Sequence, residues 1–276
     1  MSIRQRSLPE GWYPASAREL EARLGAWDRV DGAARPGGAS ACIAPHAGWY
    51  YSGRIAWAAW GAAADADAVV IVGGHLAAGS KFRYYPEDGF ETPSRVVAAD
   101  AELVREVAGA VKAVPDTSAD NTVEVHLPMA AYRFEGVPVA CFRAPNDAGA
   151  KDLGLAIAEY AQRSSKRVFV LGSTDLTHYG KSYGFEPAGS GRTGFAWARK
   201  SDTAIEAAFL GFDTEAALRL AGDEGSACSV GAAIAAMAYA GSVGASSSRL
   251  LMRGSSDEIT PGADSSVGYC SISYSR

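Results

Sequence analysis

The segment Ala68-Val-Val-Ile-Val-Gly73 is apolar at every position and short. A strand with one wet face alternates apolar and polar side chains. An unbroken apolar run instead fits a strand covered on both faces, as in a parallel sheet lying between helices. Ser40–Ala44, Val137–Phe142 and Arg167–Leu171 also read as strands, and helical segments separate them. Ser16–Leu24 places Leu20 and Leu24 one turn apart. Ser52–Ala63 puts Ile55, Ala56, Ala59 and Trp60 on one face behind Ser52 as N-cap. Asp100 caps a helix carrying Leu103, Val104, Val107 and Val111, and Asp147–Arg163, Ser201–Leu210 and Thr214–Leu220 read as further helices. Val230–Ala240 is so rich in small apolar residues that it predicts close packing on the sheet. Arg249–Arg253 and Val267–Tyr274 read as closing strands, Gly32–Gly38 as a loop, and the glycine-rich Ala188–Gly194 as a surface loop. The rhythm predicts an α/β fold, a three-layer α/β/α sandwich with a mostly parallel central sheet, in a single domain over 1–276.

Composition narrows the function classes. A net charge of −5 leaves no basic footprint, so direct nucleic-acid binding is not expected. No apolar run of ~18 residues predicts a membrane span, and the N-terminus lacks a signal peptide's apolar core, so a cytoplasmic location is expected. Cys42, Cys141 and Cys270 lie inside apolar runs as small buried hydrophobes.

Three of the four histidines stand at the ends of strand-like runs. His46 closes Ala-Cys-Ile-Ala-Pro-His, His75 closes Val-Val-Ile-Val-Gly-Gly-His, and His178 follows Val-Phe-Val-Leu-Gly-Ser-Thr-Asp-Leu-Thr. In open α/β sheets the carboxyl ends of strands face one crevice where ligands bind. Three imidazoles delivered there point to one metal or proton-transfer site. After His46, the aromatics Trp49, Tyr50 and Tyr51 are placed to wall a pocket. Asp175 stands three residues before His178, a spacing that puts both on one side of a helical turn. A carboxylate there either orients the imidazole or caps the turn. Cys228 precedes the small-residue helix, whose N-terminal dipole favours a thiolate, suiting it as metal ligand or nucleophile. Alternation over Val123–Leu127 puts Glu124 and His126 on one face of an extended segment, lining the site or on a polar surface.

Taken together, Pro45-His46-Ala-Gly-Trp-Tyr-Tyr-Ser-Gly53, Gly74-His75, Val123-Glu124-Val125-His126-Leu127-Pro128, Ser173-Thr-Asp175-Leu-Thr-His178-Tyr and the Cys228 loop resemble the Memo family, whose bacterial members are often called AmmeMemoRadiSam system protein B. The opening Arg4…Pro9-Glu-Gly-Trp-Tyr-Pro14 also resembles that family's start. The resemblance implies a fold similar to class III extradiol dioxygenases. It also implies a mononuclear metal site of His46, His75 and Cys228, with His178 as acid/base or ligand-binding residue and Asp175 beside it. Iron is the first expectation, with copper or zinc as alternatives. Where the family usually has histidine, before the Glu-x-His/Gln-Leu-Pro motif, this chain has Asp120-Asn121-Thr122, and an amide does not shuttle protons.

The function expected is a dioxygenase-like oxidoreductase with O₂ or a small molecule as reactant. The alternatives are a peptide- or metabolite-binding module whose pocket is rimmed by Trp49, Tyr50, Tyr51 and Tyr179, and a zinc hydrolase. The resemblance further implies association with a radical SAM protein and the A protein of the same system.

Overall fold

The computed structural model describes residues 1–31 and 37–276, so residues 32–36 of the expected Gly32–Gly38 loop lie outside the described residues. In chain order the strands are β1 (Ile3–Arg4), β2 (Ala41–Ala44), β3 (Ala68–Leu76), β4 (Arg83–Tyr84), β5 (Gly89–Glu91), β6 (Val96–Ala98), β7 (Val114–Pro115), β8 (Val139–Pro145), β9 (Val168–Ser173), β10 (His178–Gly180), β11 (Ser247–Ser255) and β12 (Ser265–Ser275). The helices are α1 (Ala17–Asp31), α2 (Arg54–Ala62), α3 (Ala101–Ala110), α4 (Asn121–Glu124), α5 (Leu127–Arg133), α6 (Ala150–Ser164), α7 (Gly191–Leu210), α8 (Thr214–Glu224), α9 (Val230–Ser242) and α10 (Ser256–Ile259).

The main sheet runs β10-β12-β2-β9-β3-β8-β4-β7, with β11 paired to β12. β2, β9, β3 and β8 are mutually parallel, whereas β12 joins β2 and β4 joins β8 in antiparallel fashion. The sheet is therefore mixed, with the expected parallel part at its centre. A small sheet, β1-β5-β6, stands apart.

The apolar run of β3 faces both ways. Val70 and Val72 enter a core shared with α3, α6, α7 and α9, while Val69 and Ile71 enter a second core with α1, α2 and α5. Each such side chain contributes ~1.5–3 kcal/mol on burial, which is why the run tolerates no polar residue. The small residues of α9 let its backbone lie on the sheet: a Cβ on Gly172 would stand 2.5 Å from the Ala232 carbonyl oxygen. That packing brings the start of α9 to the carboxyl ends of the central strands, where a Cβ on Gly74 would meet Ser229 Cβ at 2.3 Å.

Three local expectations change. Ser52 is no N-cap: it lies in a π-helical turn, Trp49–Gly53, and its hydroxyl donates to the Ala47 carbonyl at 3.0 Å. Residues 121–133 form α4, a turn at Val125 and His126, and α5 rather than an extended segment, because Asp120 caps α4 through the Thr122 N–H and Pro128 lies in the first turn of α5. The expected loop Ala188–Gly194 enters helix at Gly191, so α7 begins ten residues before the expected Ser201. Asp100 caps α3 as read, accepting from the Leu103 N–H at 3.0 Å.

Candidate metal centre

Three segments meet at the carboxyl ends of β2, β3 and β9. His46 follows β2 on a rigid prolyl turn, and its ring is fully buried. Its backbone N–H donates to Asp175 Oδ1 at 2.7 Å, and its carbonyl accepts from Asn121 Nδ2 at 3.1 Å. His75 sits where the β3–β8 register shifts between Gly73 and Leu76, with φ of 56°. A break in the ladder re-aims a side chain at a strand end, and here it turns His75 toward the crevice. Cys228 is fixed by its own N–H to the Asp175 carbonyl at 3.3 Å and by Asn146 Nδ2 to its carbonyl at 2.9 Å.

Cys228 Sγ lies 3.2 Å from His46 Nε2, and the His46 and His75 rings meet edge-on with centroids 4.9 Å apart. One ligand atom from each of His46, His75 and Cys228 lies within 4.8 Å of the other two. Around a tetrahedral ion, bonds of ~2.0–2.1 Å to nitrogen and ~2.3 Å to sulfur set donors roughly 3.3–3.7 Å apart. A small closure of the trio suffices, and two imidazoles with a thiolate suit iron, copper or zinc. The residues present fit a metal ion.

The electrostatics favour the same use. Burial alone would raise the Cys228 thiol, but His46 and His75 beside it outweigh that and bring it down to about 6. Burial would lower His75, yet Asp120 and Cys228 raise it overall. Asp120 Oδ2 stands 3.4 Å from His75 Nδ1 and 3.1 Å from an Arg143 nitrogen. Arg143 also reaches Asp116 at 2.8 Å and the Gly74 carbonyl at 2.9 Å, tying the charged network to the strand that carries His75. Despite burial, Asp120 is held below the ordinary carboxylate range by His75, Thr122 and Arg143.

Asp175 and His178 border the trio. Asp175 Oδ2 is 3.9 Å from His46 Nε2 and 4.0 Å from His178 Nε2, separations of ion pairs rather than hydrogen bonds. Their segment is a loop running into β10, not the expected helical turn. Burial raises Asp175, against the pull of His178 and the backbone N–H groups it accepts. Burial lowers His178, against the pull of Asp175, which favours the neutral ring. Outside them opens a cleft of about 660 Å³ whose lining includes His46, His75, Asn121, Tyr50, Tyr51 and Tyr183. Tyr183 stands edge-on to His178 at 4.9 Å.

Not every candidate residue comes to this place. Tyr50 lines the cleft, but Trp49 is buried against Trp27 and donates from its indole to the Val125 carbonyl at 3.0 Å. Tyr179 is fully buried among Phe185, Phe195 and Trp197, with its hydroxyl on the Gly189 carbonyl at 2.6 Å. Glu124 accepts from Ser7 N–H at 2.9 Å, Leu8 N–H at 3.0 Å and the Tyr13 hydroxyl at 2.8 Å, so it anchors the N-terminal segment. His126 lies behind His46, with Nε2 3.0 Å from Ser173 Oγ. Sequence reasoning missed Asp120, Arg143, Ser173 and Tyr183. Arg143 carried a signal, a charge inside the apolar run Val-Ala-Cys-Phe-Arg, which demands a buried partner.

The fold and the site together define a three-layer α/β protein with a candidate histidine–cysteine metal trio at the strand ends. A family model described as Memo-like protein matches residues 4–273, so the chain belongs to the Memo-like family. It is 29% identical over 238 residues to a MEMO1 family protein of Methanosarcina barkeri, covering 83% of this chain and 84% of that one. It is 30% identical over 253 residues to one of Pyrococcus abyssi, covering 86% and 87%. The crystal structure of an uncharacterized protein from Escherichia coli K12 shares the fold at a TM-score of 0.52 and 12% identity, covering 84% of this chain and 98% of that one. Among the described residues no helix is long and apolar enough to cross a membrane.

Proposed function

We propose that His46, His75 and Cys228 hold one metal ion, iron before copper or zinc, and that the protein is an oxidoreductase acting on a ligand in the adjoining cleft. The observation that carries this reading is the convergence of three ligand atoms within 4.8 Å from three separate segments, with the thiol lowered to about 6. A redox-active ion so held supplies electron transfer to or from O₂ or an organic substrate. The chain's own residues do the rest. His178, neutral and facing the cleft, takes a proton from a bound ligand, and buried Asp175 stabilises the charge that results. Tyr50, Tyr51 and Tyr183 supply apolar walls with polar tips. Among the described residues no lysine or arginine lines the cleft, so an anionic group would meet the metal, the histidines and neutral hydroxyl and amide donors.

The test is metal content by inductively coupled plasma mass spectrometry on protein purified without oxygen, beside His46→Ala and Cys228→Ser. The expected result is near one equivalent of iron or copper in the parent and none in either variant. One equivalent of zinc would turn the reading to hydrolysis by an activated water. No metal, even after reconstitution, would overturn it and leave a binding cleft.

A further inference from the structure

Behind His46, on the side away from Cys228, fully buried residues form one hydrogen-bonded file. Trp60 Nε1 donates to His126 Nδ1 at 3.4 Å. His126 Nε2 is 3.0 Å from Ser173 Oγ, and Ser173 Oγ is 2.9 Å from His46 Nδ1. His46, Ser173, His126 and Trp60 are each 0% exposed. They come from four places in the chain: the turn after β2, the last residue of β9, the junction of α4 and α5, and the last turn of α2.

The direction of this file is set at its closed end. An indole N–H donates and never accepts. His126 Nδ1 is therefore the bare nitrogen, and the single ring proton sits on Nε2, aimed at Ser173. Burial, with His46 nearby, pushes His126 down to about 3, so the ring stays neutral. Ser173 Oγ, having accepted from His126, retains its own proton and one lone pair for His46 Nδ1. Two arrangements follow. When Ser173 donates, His46 carries its proton on Nε2, pointing at the Cys228 sulfur 3.2 Å away. When Ser173 accepts, the proton is on Nδ1 and Nε2 presents a bare lone pair to the crevice.

We infer that Trp60, His126 and Ser173 are positioning residues that select the tautomer of His46, with the Ser173 hydroxyl turning between the two arrangements. The second arrangement rests on the metal reading; the first does not. The exchange balances through solvent in the cleft that His46 lines: the Nε2 proton leaves to water where the metal bonds, one proton returns from water to Nδ1, and the imidazole keeps its charge. His126 acts only through Ser173 and stores no proton. An amide in its place would do the same work, because its oxygen accepts from Trp60 and its nitrogen donates to Ser173.

The experiment uses the full chain, ¹⁵N-labelled, with long-range ¹H–¹⁵N correlation of the histidine rings before and after one equivalent of zinc. His126 is expected as the Nε2–H tautomer in both states across pH 6–8, and His46 is expected to change from Nε2–H to Nδ1–H on zinc binding. In parallel, His126→Gln keeps zinc affinity within about threefold, whereas His126→Leu and Ser173→Ala lose roughly 10–100-fold. An Nδ1–H tautomer at His126, or a Gln variant as weak as the Leu variant, would overturn the inference. Should His126→Leu fail to fold, Trp60→Phe decides: it removes only the fixed donor, and His126 must then populate both tautomers. Should zinc not bind at all, the metal reading fails, while the metal-free spectrum of His126 still decides the relay.

Discussion

His46 lies in the protein interior against a neutral hydroxyl, whereas His75, its side chain 36% exposed, faces a carboxylate already paired with an arginine. The two rings nearly touch, yet the chain supports them by unlike means. On its Nδ1 side His46 meets no charge; its charged neighbours, Asp175 at 3.9 Å and the Cys228 sulfur at 3.2 Å, stand on the crevice side at Nε2. His75 stands in a left-handed backbone conformation at the mouth of the crevice, where the Asp120–Arg143–Asp116 network supplies the rigidity that packing does not. A carboxylate behind a ligand imidazole raises its basicity and fixes its tautomer. The difference teaches that the group behind one ligand ring, at Nδ1, is a packed neutral hydroxyl, and behind the other a carboxylate in a charged network.

The hardest blow to that comparison is to remove the rings themselves. His46→Ala and His75→Ala should each weaken zinc binding by roughly a thousandfold, about 4 kcal/mol, a fair share of the ~10–16 kcal/mol that structural zinc sites deliver. Isothermal titration with competing chelators would read this. Equal retention of zinc by either variant would remove that histidine from the site.

A smaller effect concerns the sulfur that both rings face. In metal-free protein a Cys228 thiol at about 6, against an ordinary 9.0, is mostly thiolate at pH 7. That is roughly a hundredfold more than an unperturbed thiol would offer. Because the shift lowers an acid's pKa, iodoacetamide labelling should stay level above pH 6 and fall about tenfold per unit below it. Cys42, Cys141 and Cys270, all buried with thiols pushed up, should stay unlabelled in folded protein. Labelling that rises only near pH 9 would contradict the arrangement.

Asp120→Asn separates the two supports more finely. The amide still reaches His75 but no longer raises its basicity, so zinc affinity should drop roughly 10–100-fold at low salt and become less dependent on salt than in the parent. Ser173→Ala should give a loss of similar size that salt leaves untouched. Matching salt dependence in the two variants would erase the contrast between a charged and a neutral support.

The smallest effect is conformational. At a φ of 56°, an L-residue is strained by ~1–2 kcal/mol and glycine is not. Both His75→Gly and His75→Ala should lose metal, but the glycine variant should be about 1 kcal/mol the more stable in urea. Equal stability would show that the bulge is relaxed.

How far the sequence could be read follows the same physics. The central strands were legible because a run buried on both faces admits only apolar residues, and Leu20, Leu24 and the Asp100 cap obey local rules. His46 and His75 were visible as polar residues at the ends of such runs and Cys228 in the loop before the small-residue helix, and the structure brings them together. Their supports were not legible in the same way. Asp120 looks like any polar loop residue until β3 and β8 place His75 and Arg143 beside it. Glu124 and His126 read as neighbours on a strand face, but winding into α4 and the turn after it sends Glu124 to the N-terminal segment and His126 to Ser173. Alternation over five residues does not distinguish a strand from a helical junction whose cap, Asp120, lies outside the window.

The most direct measurement of the central claim is X-ray absorption at the metal edge of protein purified without oxygen and brought to one equivalent of metal. The account predicts one sulfur scatterer near 2.3 Å and two imidazole shells near 2.0–2.1 Å for zinc, with the sulfur lost in Cys228→Ser. A shell of oxygen and nitrogen only, unchanged in that variant, would contradict it.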